Sequence, residues 1–213
     1  MTLATSLSGA AFLLLLNDIA PSVEADYNRW HVIEHVPERL TVPGVLGAWR
    51  YAASAPSGQH HLTIYDLVDL WVLESVPYRA LVDTPTPWSQ SMRPHFTNVE
   101  RFACARRAGT TWESDLHVAL LRLSAGASDM PDALLGTVDQ RVPQLAWTRS
   151  SSAAFPFSVA LVGAADTTRL EQQLTSALAT TVFVPGSVPP RVRLLDRFGP
   201  EAARPAMDRP RSR

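Results

Sequence analysis

The feature that most limits what this chain can fold into is a repeated order of elements. Strand-like apolar runs and helix-like amphipathic runs follow one another as β-α-β-β-α-β, and the order begins again about a hundred residues later. The first copy has strands expected at residues 10–16, 45–53, 60–68 and 98–105, and helices at 22–35 and 69–82. Its opening run, Ala10-Ala11-Phe12-Leu13-Leu14-Leu15-Leu16, is apolar without alternation, the pattern of a strand covered on both faces. Ser22 is placed to cap the first helix and Pro37 to stop it, and Pro43-Gly44 launches the next strand. The Pro-rich stretch 85–94 reads as a loop. The second copy has strands expected at 116–123, 146–151, 157–162 and 191–198, and helices at 130–142 and 167–178. The polar stretch 106–114 reads as a linker, which divides the chain into units 1–108 and 109–199. The Pro- and Arg-rich segment 200–213 reads as a disordered tail.

The β-α-β-β-α-β order is the ferredoxin-like unit, an α+β arrangement with both helices on one face of an antiparallel sheet. The other face is left bare and apolar, and must be covered. Two tandem units stacked sheet to sheet solve this and form a barrel-like core, either within one chain or crosswise between two. Further dimerisation, a homodimer, is expected.

Composition matters here for what it removes. The formal net charge is −1, which gives no electrostatic footprint for nucleic acid or a membrane surface. All basic residues are arginine, so no lysine Schiff base and no phosphate-loop lysine can form. Cys104 is the single cysteine, expected as a buried, inert thiol. No apolar run has the length of a membrane span. The run 7–16 lacks the preceding basic residues of a secretory signal, so it reads as a strand and the protein as cytoplasmic.

The groups able to do chemistry concentrate in residues 26–51. Tyr27, His31, Glu34 and His35 stand three and four apart, along adjoining faces of one helix. His35 can serve as a general acid/base, since imidazole titrates near neutrality; the plainer alternative is a histidine bonding the last carbonyls of its helix. Glu34 can orient an imidazole or pair with a surface arginine. Tyr65 can hydrogen-bond a ligand oxygen or simply pack. Trp30, Trp49 and Trp88 are wall or core residues. Arg50 can clamp a carboxylate, although a strand-surface ion pair is the plainer reading, and the pair His60-His61 reads as solvated. His31-x-x-Glu34-His35 also matches a zinc-peptidase spacing, with Glu113 as the third ligand it would need; Pro37 and the linker position of Glu113 weigh against it. No cofactor and no metal are expected. The second half has His117 as its only histidine, in a strand, so the second unit reads as structural.

The run Trp30-His31-Val32-Ile33-Glu34-His35-Val36-Pro37-Glu38-Arg39-Leu40, with Val42-Pro43-Gly44 and Trp49-Arg50-Tyr51 after it, resembles the EthD-like branch of the dimeric α/β-barrel superfamily. The end of the Tyr65-Asp66 strand and the Pro85-Thr86-Pro87-Trp88 loop fit the same resemblance, which covers roughly the first half of the chain. It implies a groove between sheet and helices for a small aromatic or polyketide-like molecule, with His35 at its edge and His31, Glu34, Tyr65 and the tryptophans as candidates for its wall. It implies a cofactor-independent enzyme of cyclase, isomerase, decarboxylase or other lyase type. The alternatives are a non-catalytic ligand-binding accessory protein and, after it, a zinc hydrolase.

Overall fold

The computed structural model describes residues 7–53, 61–110, 112, 117–124, 133–139, 141–142, 157–164, 166–180, 191–197 and 202–203. Its strands are β1 (Ala11–Ile19), β2 (Val45–Ala52), β3 (His61–Leu67), β4 (Phe96–Arg106), β5 (His117–Ser124), β6 (Leu134–Val138), β7 (Phe157–Ala164), β8 (Arg191–Arg197) and β9 (Ala202–Ala203). The first unit pairs them as β4-β1-β3-β2, the second as β6-β7-β5-β8, every pair antiparallel. Then β4 pairs with β6 and β2 with β8, so the sheets join at both edges and close into a barrel, with β9 beside β2. The bare face that each unit would expose alone is therefore covered within one chain. A second chain is not needed for that purpose.

The period of two along each strand sorts the residues. Phe12, Leu14 and Leu16 of β1, Trp49 and Tyr51 of β2, Leu62 and Ile64 of β3, and Phe102 and Cys104 of β4 fill the barrel together with Val118, Leu120, Leu134, Val159 and Leu161. Their neighbours face outward. Leu13, Ala48, Tyr65, Leu67 and Ala103 pack under the helices of the first unit. Ala119, Leu121, Leu135, Ala160 and Val162 pack under α5 (Thr167–Thr180) of the second.

Three local expectations need correction. Residues 130–142 were expected as a helix, yet β6 occupies Leu134–Val138. Gly136 and the β-branched pair Thr137-Val138 disfavour a helix, and the strand fits only because Gly136 has no side chain. A Cβ there would meet the Phe12 ring at 2.3 Å and Cβ of Cys104 at 2.9 Å. With β6 as its second strand the second unit keeps the strand order of the first; the strand expected at 146–151 lies outside the described residues.

Pro37 does not stop the first helix. After a 3-10 turn at Pro21–Val23, α1 (Glu24–Trp30) runs into a π-helical turn, His31–His35, and on into α2 (Val36–Thr41). Proline lacks an N–H and its ring crowds the carbonyl four residues back. The π turn widens the helix just before it, with the Val36 N–H reaching back five residues to the His31 carbonyl. The real stop is Pro43, which forces Val42 into extended backbone (φ −70°, ψ 125°).

The Pro-rich stretch is not all loop. A 3-10 turn at Leu70–Glu74 leads to α3 (Val76–Asp83), then to α4 (Pro87–Met92). Thr86 caps α4 by accepting from the Ser89 N–H at 3.0 Å, with Pro87 in the first turn, a start signal written in the sequence.

Candidate active site

A cleft opens on the outer face of the first unit. Its floor is Leu15 of β1 and Phe96 of β4; its walls are α1, the π turn, α2 and the α4 segment. Tyr27, Trp30, His31, His35, Arg39 and Arg93 supply the aromatic and charged lining. It holds about 410 Å3 of space counted to its mouth, and its closed part has room for about one water.

The π turn sets the histidines. The rings of His31 and His35 lie 5.3 Å apart, and Trp30 lies against His35 at 4.3 Å with 31° between planes. His31 is buried, its Nε2 3.1 Å from Thr63 Oγ1. His35 is half-buried, and its Nδ1 is buried without a hydrogen-bond partner among the described residues. Burial drives both imidazoles well below the usual histidine range. For His31 the nearby Arg50 and His61 add to the effect; for His35, Arg39 does so first, then His31 and Arg93. Both rings are neutral at pH 7, and His35 carries an unused basic or acidic nitrogen.

Glu34 is held elsewhere. One of its carboxylate oxygens accepts from Thr86 Oγ1 at 2.6 Å, Trp30 Nε1 at 3.1 Å and Ser89 Oγ at 3.2 Å. It thereby ties α4 to the π turn and fixes the Trp30 ring. Trp88 donates to Asp26 at 3.2 Å and lies under Arg29, at the edge of the same cluster. Trp49 faces the barrel interior, edge-on to Trp112 at 5.4 Å, on the opposite side of the sheet from the cleft. Tyr65 lines a separate small cavity behind α2.

Arg50 is not a surface ion-pair residue, and His61 is not solvated; both are corrections. Because Trp49 and Tyr51 take the barrel side, Arg50 falls under α1 and is 6% exposed. Its guanidinium lies 4.7 Å from the Tyr27 ring centroid and donates to Asn28 Oδ1 at 2.6 Å. His61 is 2% exposed, with its ring 5.0 Å from Tyr27. His60 lies outside the described residues. The two residues brace Tyr27, whose hydroxyl donates to Asn17 at 3.1 Å, so the aromatic wall of the cleft is fixed from behind.

Arg39, Arg93 and Phe96 were not read as site residues from sequence. Arg39 stands four residues after His35, a spacing that puts it on the same helix face. Arg93 and Phe96 reach the cleft only through the chain path of α4 and β4, and no local pattern marks them. Among the described residues no cluster of three or more His, Cys, Asp or Glu side chains converges as a metal ion would need, and Glu113 lies outside those residues. No described helix is long and apolar enough to cross a membrane.

No protein-family model and no curated protein matches the chain. Solved structures do. An anthrone oxidase-like protein superposes with a TM-score of 0.57 at 9% identity, over 92% of this chain and 94% of that one. A "putative monooxygenase" from Fusobacterium nucleatum gives 0.52 at 9% identity, over 94% and 98%. A "putative monooxygenase" from Lactobacillus acidophilus gives 0.52 at 12% identity, over 95% and 98%. Likeness at this identity speaks to architecture. The chain shares the architecture of these structures, an α+β barrel built from two tandem ferredoxin-like units.

Proposed function

We propose that the cleft binds a small aromatic ketone or phenol and that His35 moves a proton on it without a cofactor. The observation that carries this is a neutral imidazole with an unbonded Nδ1, set between an aromatic wall and two arginines in one cleft. A neutral imidazole accepts a proton from a carbon or oxygen acidified by a neighbouring carbonyl. The electron pair passes to the carbonyl oxygen, and the arginine charges stabilise the enolate or phenolate so formed. Return of the proton at another position is isomerisation; attack of the carbanion on an internal carbonyl is cyclisation; loss of a leaving group is a lyase reaction. His31, held on Thr63, and Trp30, held by Glu34, keep the His35 ring in place. The names of the neighbouring structures support an anthrone-like ligand, whose carbanion is also the species that dioxygen would oxidise.

The test uses anthrone, a tricyclic ketone with an acidic methylene. Exchange of that methylene in D2O, followed by NMR, is expected to run faster with the protein than in buffer. His35→Gln is expected to slow the protein-dependent rate by about a hundredfold or more. Equal rates for the two proteins contradict the proposal. The narrow closed part of the cleft favours a second reading, a ligand-binding accessory protein. Saturable anthrone binding with no added exchange selects it.

A further inference from the structure

We propose that Arg39 and Tyr65 form a separate, deeper subsite that takes an anionic oxygen or another small anion as hydrogen-bond acceptor. The cavity behind α2 is lined by Leu13, Arg39, Val45, Tyr65, Leu73 and Tyr78, among others; it holds about 200 Å3 counted to its mouth, and its closed part has room for about one oxygen-sized group. Its walls are apolar apart from the guanidinium and the two phenols. Tyr65 is 3% exposed, and its hydroxyl has no hydrogen-bond partner among the described residues. Arg39 Nη1 is buried in the same condition. A guanidinium can only donate, and this phenol donates to nothing. Buried donors without acceptors are costly and uncommon, and here the two residues that carry them line a single void. What the void lacks is an acceptor.

Charge selects the kind of acceptor. No carboxylate among the described residues lies within salt-bridge distance of Arg39, although Glu38 is near enough to feel it. A water would satisfy hydrogen bonds and leave the charge uncompensated; an anion does both. Arg39 is also held in place, its guanidinium 5.4 Å from the Tyr78 ring centroid. The same side chain lines the His35 cleft. The subsite therefore narrows the ligand class, on the reading proposed above, to molecules whose carboxylate or phenolate reaches Arg39 from that cleft. A resident inorganic anion would satisfy the same chemistry.

The probes are sodium benzoate and sodium bromide at constant ionic strength. Titration calorimetry is expected to show benzoate binding to the wild type, weakened about tenfold or more in Tyr65→Phe and in Arg39→Gln. Unliganded Tyr65→Phe is expected to melt at or above the wild-type temperature, because the change deletes a hydroxyl that bonds nothing. Benzoate affinity indifferent to both substitutions overturns the subsite. A lower melting temperature for Tyr65→Phe also overturns it, since the hydroxyl would already be bonded. Anomalous diffraction from bromide-soaked crystals separates the sources. A bromide between Arg39 and Tyr65 that benzoate displaces marks a place for the ligand's own oxygen; one that benzoate leaves marks a resident anion. His35→Gln is expected to keep the bromide site. Anthrone exchange that ignores His35, beside an intact bromide site, removes the reaction and leaves the subsite.

Discussion

On the first unit's outer face, the helices cover Arg50, His61, Thr63 and Tyr65. On the second unit's outer face, α5 covers Ala119, Leu121, Leu123, Ala160 and Val162. Both are outer faces of one barrel, and β3, which carries His61, Thr63 and Tyr65, corresponds to β7, which carries Ala160 and Val162. Every buried polar or charged side chain among the described residues, from Asn17 to Arg101, belongs to the first half. The covering helices differ in the same sense. The first is interrupted by a π turn that brings two histidines together, whereas α5 runs unbroken from Thr167 to Thr180. The fold offers two such faces, and among the described residues it is the first that carries the buried polar groups. Among its described residues the second face is apolar packing under α5.

That contrast can be broken from either side. The largest effect is expected from His35→Gln, which lowers turnover of any proton-transfer substrate by about 10² to 10⁴ while the melting temperature stays near wild type. Leu121→Ala on the opposite face should do the reverse. It costs about 2 to 5 kcal/mol in denaturant unfolding and leaves turnover per folded molecule unchanged. A loss of turnover as large as that of His35→Gln would erase the distinction between the faces.

Acid should act on the first face through its two histidines. The folded state holds His31 and His35 neutral well below pH 6.5, while the unfolded chain protonates them near it. The unfolded state then binds more protons, so their contribution to stability is complete above pH 6.5 and declines as pH falls toward the folded values. The slope is up to about 1.4 kcal/mol per pH unit for each ring. Urea unfolding between pH 7.5 and 5 measures it, and His35→Gln should remove one histidine's share. The smallest effect is expected from Thr86→Ala. It removes the α4 cap and one of the donors to Glu34, at about 1 kcal/mol of stability, and frees the Trp30 wall, which weakens ligand binding.

How much of this was legible in the sequence follows from the range of each interaction. The ferredoxin-like order could be read because strand and helix periods are local, but which of Phe12 and Leu13 faces inward could not, since that run is apolar throughout. The clustering of His31, His35 and Tyr27 was legible from spacing on one helix. Arg39 could have been found by the same rule. β6 was misread because Gly136 works through a contact with Phe12, more than a hundred residues away in the chain. The continuation of the helix past Pro37 was misread because proline's rule assumes an α-helix and the π turn relaxes it. The burial of Arg50 and His61 depends on which helix lands on β2 and β3, a long-range outcome that a strand pattern does not carry.

The central claim is that the first face holds a neutral, unbonded imidazole in an open cleft. Histidine NMR titration of the wild-type protein between pH 8 and pH 5 tests it without a substrate, with His35 assigned by its absence in His35→Gln. The expected result is a His35 ring that stays neutral through pH 6.5 and gains its proton only well below. Half-protonation at or above pH 6.5 would mean a solvated ring, and would contradict the account.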